Sequence, residues 1–242
     1  MGRSTVYRRT PVRKQRFFLL ASLLLAIPAI AQAHVSIKTS GAFADVSDVV
    51  VFGVGHGCES DGANLDTTSV TVEIPKGVTS VRPELGVFDD ISLETDKTGA
   101  VVAVTWSKSR ALEDDIAYYE LRLRLKAPDA PFSTLTFPAH QTCSSADGKT
   151  EQVVDWVGDE GDTDVEPAPT LRVLPARFPG WNKFKVADDL SDLAGFFADA
   201  EIVWAGKSAY SINPATMDLI AETEGVSSLS KIKSGTEIWV KY

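Results

Sequence analysis

The 242-residue chain is poor in the side chains from which most metal, redox and nucleophilic chemistry is built: it has two cysteines, two methionines and three histidines. Two cysteines are too few for a zinc-type thiolate cluster. One of the methionines is Met1, and Met217 alone does not make a methionine-rich Cu(I) site. There is no nucleophile elbow, no phosphate-binding glycine loop and no Ser-His-Asp spacing that can be defended. No second long apolar run follows residue 33, so the later part of the chain carries no membrane span. Basic residues are scarce there too. The first 33 residues hold six of the 24 basic residues and none of the 33 acidic ones, which leaves 18 basic against 33 acidic, a formal charge of −15. So acidic a surface argues against nucleic acid and anionic membranes as partners, and it favours the approach of cations.

The start of the chain has a different texture. Arg3, Arg8, Arg9, Arg13, Lys14 and Arg16 precede an apolar run of 14 residues, 17–30, and Ala31-Gln32-Ala33 has the small-x-small form that signal peptidase reads. Together these predict a cleaved secretory signal over residues 1–33 and a periplasmic or secreted mature protein beginning at His34. The rival, a membrane anchor, needs a longer run to span a hydrocarbon core of ~30 Å. Arg8-Arg9 is a twin-arginine pair, but its surroundings fit that export route poorly.

In an exported chain, an even cysteine count points to a disulfide between Cys58 and Cys143. The bridge would close a loop of about 85 residues, for which the chain-entropy account gives roughly 4–5 kcal/mol. The alternative is a thiolate metal pair.

From residue 48 to 174 the pattern is β. Residues 69–74 alternate with period two and end at the turn Pro75-Lys76-Gly77, and residues 49–54, 101–106, 134–138 and 152–157 are further extended runs. Leu121, Leu123 and Leu125 alternate with Arg122 and Arg124, which gives one buried and one wet face. Many short strands with Gly, Pro and Asp turns predict a mainly β fold, an antiparallel immunoglobulin-like β-sandwich over residues 34–176. Residues 177–242 read as a small α+β C-terminal module. Helical spacing is present over 190–197, and Asn213-Pro214 makes an N-cap with Pro at the first helical position, opening a helix over 215–224. Trp204, Tyr210, Asn213 and Trp239 read as core and cap residues. The acidic stretch Asp159, Glu160, Asp162 and Asp164 lacks EF-hand spacing and reads as a solvated connection rather than a calcium loop.

Cleavage after Ala33 would free an α-amino group on His34. The amine and the imidazole Nδ1 of one residue then chelate one metal, and two nitrogens of this kind suit tetragonal Cu(II), which stands highest in the divalent affinity series. With a reference pKa near 8, the amine loses a proton on binding. An internal histidine lacks this second nitrogen. The bland alternative is a solvated terminus. His56 lies two residues before Cys58 and His140 three before Cys143, a weak pattern for a second metal site and an ordinary one for satisfied histidines.

The stretches Ala33-His34-Val35-Ser36, Gly55-His56-Gly57-Cys58, residues 67–78, Val104-Thr105-Trp106, Tyr118-Tyr119-Glu120-Leu121, residues 137–143 and Asp155-Trp156, in that order, resemble the YcnI-like copper-binding family of secreted β-sandwiches. The resemblance implies Cu(2+) held by the terminal histidine through amine and imidazole, with a carboxylate and a tryptophan close by. His34 carries over directly. The carboxylate maps to Glu120, although Leu121 stands where the family has Phe and Ala117 where it has an earlier Glu. Should that earlier Glu be the ligand, Asp114 or Asp115 is the next candidate. The tryptophan maps to Trp156, with Trp106 as the alternative. Taken from the residues alone, Glu120 is a surface carboxylate beside arginines, and Trp156 fills a core. The family likeness thus implies a non-enzymatic Cu(II) carrier in copper handling, with copper and another periplasmic or membrane copper-handling protein as partners. The rival readings are a copper-dependent oxidative enzyme of the histidine-brace type and a metal-free envelope binding module.

Overall fold

The computed structural model describes residues 2, 34–159, 162 and 165–242. The expected signal segment 1–33, Gly2 excepted, and Glu160 and Asp164 of the acidic stretch lie outside the described residues. Ala33–Tyr242 forms one compact unit. Among the described residues no helix is long and apolar enough to cross a membrane.

The first sheet runs Val35–Ile37, Ser47–Val54, Tyr119–Lys126, Thr79–Pro83, all antiparallel. Alternation decides its faces. In Tyr119–Lys126 the residues Tyr119, Leu121, Leu123 and Leu125 are buried while Glu120, Arg122 and Arg124 are exposed. Val54, Phe52 and Val50 lie opposite Tyr119, Leu121 and Leu123, so the two strands present one continuous apolar surface.

The second sheet runs Glu166–Pro167, Glu151–Gly158, Ala139–Ser144, Ala63–Glu73, Val101–Ser107, Asp90–Thr95, and Cys58–Ser60 pairs with the start of Ala63–Glu73. Its pairs are antiparallel except that of Glu166–Pro167 with Glu151–Gly158. The two sheets close on one core. Val70, Val72, Val104, Trp106 and Trp156 from the second mesh with Phe52, Leu121 and Leu123 from the first, and the Phe52 and Phe137 rings meet edge-on at 5.5 Å. A short sheet of Thr134–Thr136, Thr170–Leu174 and Ala42–Phe43 flanks them. The expected antiparallel β-sandwich is therefore the fold, and the protein is mainly β.

The C-terminal residues build a five-stranded sheet in the order Trp181–Lys185, Glu237–Lys241, Ile202–Ala205, Ser208–Tyr210, Ser227–Ser228, with helices at Leu193–Phe196 and Pro214–Glu222. Asn213 Oδ1 accepts from the Ala215 N–H, and Pro214 opens the helix, as the sequence predicts. Two expectations change. The helical spacing over 190–197 yields only one turn, because Leu190 is drawn into a bridge with Ile232 and Asp192 caps the turn behind it. Trp239 is not core: it is 47% exposed, and Trp181 is also exposed, both on the outer face of this sheet. The module's core of Val203, Ile238, Val240 and Phe197 takes in Phe132, a residue of the sandwich, whose ring lies 5.4 Å from that of Phe184 and 5.7 Å from that of Phe197.

Candidate metal centre

Cys58 and Cys143 form a disulfide, with Cα atoms 5.8 Å apart, so the thiolate-pair alternative is excluded. The bridge sits just after the strand Ser47–Val54 and ties the crossing segment 55–58 to the strand Ala139–Ser144 of the second sheet.

His34 immediately precedes this end of the sandwich. Val35 is buried and pairs with Val54, whereas His34 is exposed. Its ring lies 5.1 Å from that of Trp156, tilted by 50°. Trp156 is opposite Ala139 and packs into the core at 1% exposure, yet its indole N–H has no partner. A buried donor left unmet costs about 1–3 kcal/mol, so a water or a ligand atom is called for at this point. Trp106, the alternative tryptophan, donates its N–H to the Glu84 carbonyl at 2.9 Å.

Glu120 stands elsewhere. The register aligns Ser36, Gly53 and Glu120 across three strands of the first sheet, and Glu120 projects from the wet face, where it accepts from the Tyr118 hydroxyl at 3.3 Å. A Cβ at Gly53 would fall 2.4 Å from Lys38 Cε and 2.6 Å from the Tyr118 hydroxyl, the movable ends of two side chains that cross this strand. Burial, followed by the Glu120 charge, raises the Tyr118 pKa. The structure thus brings His34 and Trp156 together; no hydrogen bond or ion pair joins Glu120 to either among the described residues.

Asp115 lies at the end that carries His34. Its side chain is 8% exposed, its Oδ2 is 3.9 Å from His56 Nδ1, and its Oδ1 is buried without a partner. The connection that carries it is pinned by Asp66, which is 1% exposed and accepts from Lys108 Nζ at 2.6 Å, from the Leu112 N–H at 2.6 Å and from the Tyr119 hydroxyl at 2.7 Å. Burial, and then the bond to Asp66, pushes the Tyr119 hydroxyl far above its ordinary pKa. Gln141, fully buried, donates to the His56 carbonyl at 2.9 Å and to Thr67 Oγ1 at 2.8 Å. Gln141 was not singled out from sequence, although the alternation Ala139, Gln141, Cys143 places it on the buried face.

His140 lies on the outer face of the second sheet, with Nδ1 2.7 Å from Asp155 and Nε2 3.1 Å from Glu73. Partial burial lowers its pKa, but the two carboxylates outweigh this and raise it overall. A raised folded-state pKa contributes stability that is fully present below the unfolded value near 6.5 and lost as pH rises through the folded value. His140→Gln should therefore lower the thermal midpoint at about pH 5.5 and hardly at all at about pH 8.5. An equal loss at both would show that the ion pairs contribute nothing.

Among the described residues no group of three or more His, Cys, Asp or Glu side chains is arranged to hold a metal. The donor set expected at His34 includes a backbone amine, which side chains do not supply.

A family described as "Domain of unknown function (DUF1775)" matches residues 34–173. No curated protein matches. Among solved structures, an uncharacterized protein from Nocardia farcinica, described as having an immunoglobulin-like fold, is 28% identical, with 58% of this chain and 97% of that one covered and a TM-score of 0.46. A DUF4466 family protein from Parabacteroides merdae is 10% identical, over 76% of this chain and 54% of that one, with a TM-score of 0.29.

Proposed function

The chain belongs to the DUF1775 family, and from that premise we propose that it is an exported Cu(II)-binding protein of copper handling, a carrier rather than an enzyme. Copper is its cargo. The ligands are the α-amine and imidazole of His34, freed by cleavage after Ala33, with Trp156 beside them. The observation that carries this reading is the contact between the exposed His34 ring and the buried Trp156 ring, at 5.1 Å, together with the unpaired indole N–H. Such a site has nitrogen donors on one side and a wall that keeps water out on the other. It suits a tetragonal, nitrogen-preferring ion better than a hard cation such as calcium. The family match begins at His34, which agrees with that residue as the first of the mature chain.

Two carboxylates compete for the remaining place. Glu120 is the one read from sequence and faces outward beside Tyr118; Asp115 is buried, with a free oxygen, near His56. Titrating the processed chain with Cu(II) should quench part of the indole emission. Trp156→Phe should remove most of that quench, because quenching falls off steeply with distance. Asp115→Asn should weaken binding roughly tenfold, and Glu120→Gln by less. An unchanged affinity and copper spectrum for Glu120→Gln removes Glu120 from the site. A chain starting at His34 that takes up no Cu(II) overturns the copper reading altogether.

A further inference from the structure

His56 has the bonding of a metal-ligating imidazole. It sits in Gly55-His56-Gly57-Cys58, the segment that crosses between the sheets and is anchored by the disulfide. Its Nδ1 lies 2.8 Å from the Gly57 carbonyl oxygen, with Asp115 Oδ2 at 3.9 Å behind it. Carbonyl and carboxylate oxygens only accept, so Nδ1 carries the proton and the lone pair of the neutral ring is on Nε2. That Nε2 is buried and has no partner, although the side chain as a whole is 40% exposed. A histidine that binds a metal through one nitrogen regularly gives its other N–H to a carbonyl or carboxylate, which fixes the tautomer and aims the ring. Gly57 is part of the device: a Cβ there would fall 1.7 Å from the Leu65 carbonyl oxygen and 3.2 Å from Asp115 Cγ, so only glycine lets the backbone and Asp115 close on the ring.

Two tethers set His56 at the end of the sandwich where His34 lies. The antiparallel register that pairs Val35 with Val54 carries His34 and Gly55 to adjoining positions, one residue before His56. Gln141, which holds the His56 carbonyl, pairs with Val154, two residues from the tryptophan that touches the His34 ring. The other histidine, His140, has both nitrogens engaged by carboxylates on the outer face of the second sheet.

We infer that His56, through Nε2, is a further ligand of the metal held by His34, with the Gly57 carbonyl and Asp115 behind its Nδ1, so that Asp115 positions His56 and does not itself reach the metal. The inference rests on the copper reading above. It changes the donor set from one imidazole to two, bound through different ring nitrogens: Nδ1 of His34, closing the chelate with the amine, and Nε2 of His56. A set of three nitrogens deepens the preference for Cu(II) over oxygen-seeking cations.

The experiment counts imidazoles. Processed His140→Gln protein, which keeps only His34 and His56, is loaded with Cu(II) and examined by pulsed electron paramagnetic resonance for the remote ring nitrogens. Two coordinated imidazoles are expected, falling to one in His56→Ala, with Cu(II) affinity lower by at least about tenfold. The His140→Gln spectrum decides by itself should His56→Ala not fold. One imidazole in that spectrum, or an unchanged spectrum and affinity for His56→Ala, overturns the role of His56 and leaves Cu(II) binding at His34 standing. Failure of the processed wild type to bind Cu(II) in the first titration overturns both.

Discussion

Leaving Ala33 in front of His34 will weaken Cu(II) binding roughly 100-fold, close to 3 kcal/mol. The extra residue turns the α-amine into an amide, which binds only by giving up its own proton, and the new amine is displaced from the ring that His34 Nδ1 would close. The same substitution alters the pH profile. An amine with a reference pKa near 8 must release its proton to bind, so affinity of the processed form climbs between about pH 6 and 8 and then levels off. The extended form has a free amine of its own on Ala33 and an amide proton to lose as well, so its affinity keeps climbing with pH where that of the processed form has levelled off. Isothermal titration of both forms across this range makes the comparison, and equal affinities would mean that the terminal chelate is wrong. A control is available in the fold: Val35, the next residue, is buried and paired with Val54 in either form, so a difference between them reports on the terminus and not on unfolding.

Lys108→Met will cost about 3 kcal/mol and lower the thermal midpoint by roughly 6–12 °C. Lys108 and Asp66 are an ion pair with side-chain exposures of 9% and 0%. Removing the cation leaves a buried carboxylate whose remaining partners are the Tyr119 hydroxyl and the Leu112 N–H. Those two bonds keep the loss toward the lower end for a broken buried pair. Asp66→Asn should cost less: the charge it strands is that of Lys108, whose longer side chain is 9% exposed and can turn its ammonium toward solvent, while the amide oxygen still accepts from Tyr119. Calorimetric unfolding of the two variants distinguishes them; a Lys108→Met protein as stable as the parent would show that solvent reaches Asp66. Because this network pins the connection that carries Asp115, Lys108→Met should also loosen copper.

The sandwich was legible because its strands write their faces in period two. Leu121, Leu123 and Leu125 against Arg122 and Arg124 state which side is dry, and the disulfide follows from an even cysteine count in a chain that reads as exported. His34 stands out in the sequence through an expected covalent event, cleavage after the Ala31-Gln32-Ala33 motif. The surroundings of His34 do not. The neighbours of Glu120 match a motif, but the same alternation that buries Leu121 turns Glu120 outward. Asp115 and His56 meet at 3.9 Å although 59 positions apart in the chain, and nothing local to either residue announces the other. The buried Asp66–Lys108 pair is hidden for the same reason: Lys108 follows a strand end where lysine is ordinarily solvated. In the C-terminal module, Trp239 reads as core from composition, yet the strand Glu237–Lys241 exposes it because Ile238 and Val240 already fill the inner face.

The Cys58–Cys143 bridge fastens the segment that holds His56 to the strand that holds Gln141. That clasp closes only where oxidants outnumber thiols. In a reducing cytosol the same end of the molecule would hang unbuckled, its histidine loop without the fastening that the sandwich otherwise gives it.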